Sequence, residues 1–263
     1  MPRVELAALT FESTLPLGEP ELMHVSAFQR YLDELDAERR GTDAAAATSR
    51  LSSLSPSLLQ DLMRFDAEGR GRPMELLEVL AASLRHARGL AIHLQCADKV
   101  VTLTVFPFER LAHCQLTMAD FVQRRLTELQ VLHVEPAVLR PPGDGERSLV
   151  GEAHLYTPLG PLAWHLALFG SREELLPEIA GPMAYRLSPG VDLQGLQMSA
   201  TVSAALRRLR RQTTNLREMA DWPGFDRVRA MRLLNALYLQ AGLIVSRTHP
   251  AATNEGWFAS ATR

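Results

Sequence analysis

The side chains best suited to hold a metal are the two cysteines and the histidines near them, His93 with Cys96 and His113 with Cys114. A structural zinc site needs four converging nitrogen or sulfur ligands. On a strand, residues an odd number apart point to opposite faces, so neither pair can close on one ion. Gly143-Asp144-Gly145 has the glycine spacing of a phosphate loop. Such a loop follows a strand, opens a helix and supplies a lysine, and none of these accompanies it here, so it reads as a turn. Glu173, Glu174 and Glu178 could form a carboxylate pair for acid–base work. Ser171-Arg172-Glu173-Glu174, however, has the pattern of a capping box, which makes these acids a helix start and a solvated face. The sequence has no nucleophile elbow, zinc-protease helix or CxxC motif. An enzyme of unknown class would need His133, His154 and His165 to converge on one pocket. The expectation is a protein without catalytic activity, metal or cofactor.

The polar groups of the C-terminal end carry more information. Residues 198–263 hold ten arginines against four acidic residues, and the remainder of the chain is net acidic by eight charges. This asymmetry suits contact with an acidic macromolecule, or attraction between the two halves of the chain. Wound at about 100° per residue, Asp226–Ala241 separates into two arcs. Ala230, Met231, Leu233, Leu234, Leu237, Tyr238 and Ala241 form an apolar arc. The opposite arc carries Arg229, Arg232, Asn235 and Gln240 among Val228, Ala236 and Leu239. Arg, Asn and Gln are the side chains that read base edges in a major groove, whereas Val228 and Leu239 suit a protein partner better. Arg207, Arg208, Arg210 and Arg211 sit late in their own helix, where cations complement the macrodipole. Trp222-Pro223-Gly224-Phe225 puts two aromatics on a turn, either as an interface anchor or as a plug. The candidate contact surface is therefore Arg229, Arg232, Asn235, Leu239, Gln240, Arg207, Arg208, Arg211 and Trp222.

Several elements must position these groups. Pro73 suits a first helical turn, and Leu77, Leu80, Ala81 and Leu84 repeat as a buried stripe that Gly89 can close. Leu90, Ile92, Leu94 and Cys96 then alternate with polar or small residues, as do Val101, Leu103 and Val105. Pairing Leu94 with Leu103 and Ile92 with Val105 puts the large groups on one face, around a four-residue loop, Ala97 to Val100. Thr117–Leu129 reads as a helix and Val131–Val134 as a strand. Pro161 opens a helix lined by Leu162, His165, Leu166 and Phe169, with Trp164 and Leu168 on a second face. Ser199–Arg211, Thr214–Ala220 and Asp226–Ala241 are three further helices, the second capped by Thr214 and the third by Asp226. Leu243-Ile244-Val245 is a closing strand.

The chain has 263 residues, 46% of them apolar, and a formal charge of −2, which excludes a uniformly basic nucleic-acid coat protein. All basic residues but Lys99 are arginine, as in a GC-rich bacterial genome. Two cysteines are too few for a disulfide framework. Glu5 stands where a signal peptide would begin its apolar core. No apolar run is long enough to span a membrane. Together these point to a soluble cytoplasmic protein.

The fold class expected is α+β. Residues 1–140 form a helix-plus-antiparallel-sheet domain with a possible linker at 41–57. Residues 148–263 form a mainly helical domain that is winged-helix-like at 198–247. Met74 to Val105, with Glu75-Leu76-Leu77 and Gly89-Leu90, and Asn215 to Val245, with Leu234, Leu237 and Gly242-Leu243-Ile244, resemble PATAN-type bacterial signalling domains. The resemblance covers about a quarter of the chain and implies a regulatory module that binds another protein, such as a two-component signalling protein. A transcriptional regulator reading DNA with the 226–241 helix is the alternative.

Overall fold

The computed structural model describes residues 22–41, 56–58, 60–61, 75–116, 129–142 and 152–252. The expected helix at 117–129, the expected linker at 41–57 and the turn at 143–145 lie outside the described residues, apart from Leu129, Gly41, Pro56 and Ser57.

The chain is α+β, with two antiparallel sheets among the described residues. Helix α1 is Val25–Gly41. Helix α2, Leu76–His86, buries Leu76, Leu77, Val79, Leu80, Ala81, Ala82 and Ser83. It ends at Ala87 (φ +50), two residues before the glycine expected to close it. Ala87 N–H donates to Leu84 O and Arg88 N–H to Ser83 O, so the terminal carbonyls are satisfied before Gly89 is reached. Gly89 serves a close approach instead. A Cβ there would lie 3.3 Å from both Ala137 Cβ and Val105 O.

Strand β1 is Leu90–Cys96, β2 is Lys99–Phe106, β3 is Leu111–Cys114, β4 is Gln130–Pro136 and β5 is Tyr156–Pro158. They form one sheet in the order β4-β1-β2-β3-β5, so β5 joins it from beyond residues 140–147. The β1–β2 register pairs Leu90 with Val105, Ile92 with Leu103 and Leu94 with Val101. This is two residues from the register expected. The turn is Ala97-Asp98, between the paired residues Cys96 and Lys99, with Ala97 at φ +55. A slip of two keeps every side chain on its own face, so alternation selects the face but not the offset. Leu90, Ile92, Leu94, Val101, Leu103 and Val105 are fully buried in the same core as α2. At roughly 1.5–3 kcal/mol per fully buried aliphatic side chain, this face dominates the stability of the sheet. The opposite face carries α1, whose Phe28 ring lies 4.8 Å from the His93 ring.

The rest of the chain is mainly helical. Helix α3, Leu159–Phe169, starts two residues before Pro161. It buries Leu162, Ala163, Trp164 and Leu166 and packs chiefly against α6, Arg227–Leu239. Trp164 Nε1 donates to Gln197 O, so α3 is central to its layer, covered on both of its apolar sides. Phe169, expected inward, is 57% exposed at the helix end. No helix follows Ser171. The segment runs irregularly to a 3₁₀ turn at Pro177–Ile179.

Helix α4 is Ala200–Arg211, with Ser199 Oγ accepting from Val202 N–H. Helix α5 is Leu216–Ala220. Its N-cap is Asn215, whose Oδ1 accepts from Glu218 N–H, rather than Thr214, which lies in strand β7, Thr214–Asn215. Asp226 caps α6 as expected. Strand β8, Leu243–Ser246, closes on β6, Ala184–Leu187, a strand the sequence did not suggest. The smaller sheet runs β7-β6-β8, so its central strand comes from upstream of α4.

Among described residues other than glycine, four take the left-handed conformation: Ala87, Ala97, Arg110 and Ala241. Each costs about 1–2 kcal/mol relative to right-handed backbone.

Candidate functional site

The outer arc of α6 faces the chain itself. Asn235 is fully buried, its Nδ2 donating to Glu174 O at 2.8 Å and its Oδ1 accepting from Leu176 N–H at 2.9 Å. Arg232 Nε donates to Arg172 O and its Nη2 to Gly170 O, with Glu173 3.7 Å away. Gln240 Nε2 donates to Gly160 O at 2.9 Å, and Leu239 is 3% exposed. These groups were expected to read a partner. They bond Gly160 O in the first turn of α3 and backbone groups of the 170–176 segment, which has no regular ladder of its own. Buried main-chain groups must find partners, and a polar helix face laid over irregular chain supplies them. Asn235, Leu239, Gln240 and most of Arg232 are thus withdrawn from any docking surface. Arg229 alone of this set is exposed, its Nη1 donating to Gly224 O.

Trp222 is also buried, 5% exposed and edge-on to Phe225, so the turn is a plug rather than an anchor. Its Nε1 has no hydrogen-bond partner among the described residues. The Arg208 guanidinium lies 4.6 Å from the Trp222 ring centroid, a cation–π contact that orients this arginine.

Arg207, Arg210 and Arg211 remain. Helix α4 buries Ala205, Leu206 and Leu209 on one side and exposes these arginines on the other. Spacings of three and four residues put Arg207, Arg210 and Arg211 on neighbouring positions of one helix face. Among the described residues, none of the three forms an ion pair or hydrogen bond outside the helix backbone.

Two ion clusters lie elsewhere, one around the buried Arg172 and one around the partly exposed Arg85, and sequence reasoning missed both. Arg172, read as part of a capping box, is 9% exposed. Its Nη1 donates to Glu75 Oε2 at 2.7 Å and to Glu78 Oε1, while Nε and Nη2 donate to Glu174 O and Leu175 O. Burial raises the Glu78 carboxyl above its ordinary value, against the opposing pull of Arg172. In the second cluster, Arg85 Nη2 meets Asp61 Oδ2 and its Nη1 lies 2.9 Å from Glu178 Oε1. The Glu178 contact is an ion pair without hydrogen-bond geometry, since both Glu178 oxygens are buried with no hydrogen-bond partner among the described residues. Nothing in the local pattern marks Arg172 or Glu178, because their partners lie far off in the chain.

The histidines do not converge. His133 is on β4, at one edge of the larger sheet, and His154 just precedes β5, at the other. Four strand spacings put these edges about 19 Å apart. His165 lies on α3, its ring 4.7 Å from that of Phe169. His93 bonds Glu135 Oε1 through Nε2 and Thr102 Oγ1 through Nδ1, each at 3.1 Å, as cross-strand neighbours on the sheet surface. Among the described residues, no cluster of three or more His, Cys, Asp or Glu is placed to hold a metal ion. Among them too, no helix is long and apolar enough to cross a membrane.

No protein-family model, curated protein or solved structure matches this chain.

Proposed function

We propose that the protein is a regulatory module, without a reaction of its own, that docks an acidic surface of another protein on the arginine face of α4. One observation carries this reading: Arg207, Arg210 and Arg211 stand exposed on a capped, well-packed helix with no ion-pair partner among the described residues. Exposed cations cost little in water, so their presence needs no partner. Their grouping on one rigid face, however, offers guanidinium forks to carboxylates spaced along a partner helix. Arg208, held over Trp222, extends the face without giving up its charge. The resemblance of Met74–Val105 and Asn215–Val245 to PATAN-type domains supports the same class, with a two-component signalling protein as the kind of partner.

The same three arginines also suit a phosphate backbone, the form in which the DNA reading persists now that Asn235 and Gln240 are occupied. A photo-crosslinking residue at position 211, introduced in the producing cell, separates the two. Crosslinking to one acidic protein, abolished by Arg207→Glu with Arg210→Glu, is the expected result. Crosslinks to nucleic acid alone would move the assignment to the second reading. No crosslink above that of a residue at position 95, on the sheet, would remove both.

A further inference from the structure

A cavity of about 420 Å³ opens where the sheet layer meets the C-terminal helices. Leu84 and Arg85 of α2, Phe108 and Arg110 of the β2–β3 turn, and Tyr238 and Leu243 around the end of α6 contribute to its wall. Three of the four left-handed non-glycine residues described, Ala87, Arg110 and Ala241, lie on this wall. Ala87 and Ala241 close α2 and α6, where a left-handed residue lets the following N–H groups reach the last carbonyls, so the wall is built from two fixed helix ends and the β2–β3 turn. Most lining residues are apolar, while polar atoms make up nearly half of the exposed lining, and the volume matches that of small-molecule sites, which favour such junctions.

The charges select the ligand class. Arg85 is already engaged by Asp61 and Glu178, so it forms wall. Arg110 is different. Among the described residues it meets no carboxylate, and Nη2 makes one long contact, 3.5 Å, to Gln240 Oε1. A guanidinium has five N–H donors, so most of those of the exposed Arg110 face water and are open to an anion. Phe108, 80% exposed, offers a ring at the same rim. We infer that this junction cavity binds a small organic acid, an apolar or aromatic body ending in one anionic group that Arg110 receives. The site is distinct from the α4 face and does not rest on the reading given for it.

Anilinonaphthalene sulfonate has this chemistry, and phenyl-naphthylamine is its neutral counterpart. Each is titrated into the full-length chain and followed by fluorescence. The sulfonate is expected to bind saturably, one per chain, and about tenfold more tightly than the neutral compound. Arg110→Asn, chosen because asparagine tolerates the left-handed backbone at φ +56, is expected to bring the two affinities together. Leu84→Glu, judged by circular dichroism to be folded, is expected to abolish sulfonate binding. Binding that is non-saturable, equal for the two compounds, or within twofold of wild type in Arg110→Asn would overturn the assignment. Arg207→Glu with Arg210→Glu should leave the titration unchanged. Loss of binding in that variant would place the probe on α4 and count against the cavity.

Discussion

Arg172 Nη1 reaches Glu75 Oε2 at 2.7 Å across 97 residues of sequence. The same guanidinium bonds Glu78, so one buried cation holds the first turn of α2 against the segment that follows α3. That segment is gripped from its other side by Arg232 and Asn235 of α6. The acidic and basic groups of the chain therefore meet within the molecule, as well as remaining exposed on α4.

Removing that cation should be costly. Arg172→Ala leaves two carboxylates and Leu175 C=O without their donor, and Glu174 C=O with Asn235 alone, and breaking a buried pair from one side costs about 3–5 kcal/mol. Arg172→Lys should recover only part of this, since an ammonium cannot fork to two carboxylates and also bond two carbonyls. Urea unfolding of both variants checks the order.

The burial of the α6 arc predicts a contrast within it. Asn235→Leu leaves the buried Leu176 N–H unpaired, at about 1–3 kcal/mol, while Glu174 C=O keeps only its bond from Arg172 Nε. Arg229→Ala, at an exposed position, should stay within about 0.5 kcal/mol of wild type. Equal losses in the two variants would mean that Asn235 does not hold the 170–176 segment.

Burial holds both His113 and His165 below the ordinary histidine value of 6.5. The folded state thus prefers the neutral rings, and the unfolded state binds more protons. Their contribution is present above pH 6.5 and is lost as pH falls through the folded values. Glu78 has the opposite sign, because its raised carboxyl favours the folded chain below pH 4.5, an advantage lost as pH rises. His113→Gln with His165→Gln should flatten the fall in Tm between pH 7.5 and 5.5 relative to wild type. Calorimetry across that range tests it, and an unchanged slope would contradict the burial argument.

Burial pushes the Cys114 thiol up to about 11, so almost no thiolate forms at neutral pH. Cys96 is only half-buried. A thiol reagent at pH 7.5 should modify Cys96 in the native protein and reach Cys114 only after denaturation, giving one and then two modified thiols by mass spectrometry.

Local pattern carried the elements whose side chains answer to near neighbours. The stripe of α2, the alternation of β1 and β2, and the Asp226 cap depend on contacts within a few residues, and each was legible from spacing. The winding of α6 also placed Ala230, Met231, Leu233, Leu234 and Leu237 inward, whereas Ala241 of the same expected arc is exposed beyond the helix end. What covers the opposite arc was decided elsewhere. Arg232, Asn235 and Gln240 look the same in sequence whether they meet a foreign surface or the carbonyls of Gly170, Glu174 and Gly160. Only the packing of α3 on α6 chooses between these. The β1–β2 offset, the role of β6 as central strand, and the burial of Arg172 share that origin. Periodicity assigns a side chain to a face, whereas its partner is set by which distant segment folds over that face.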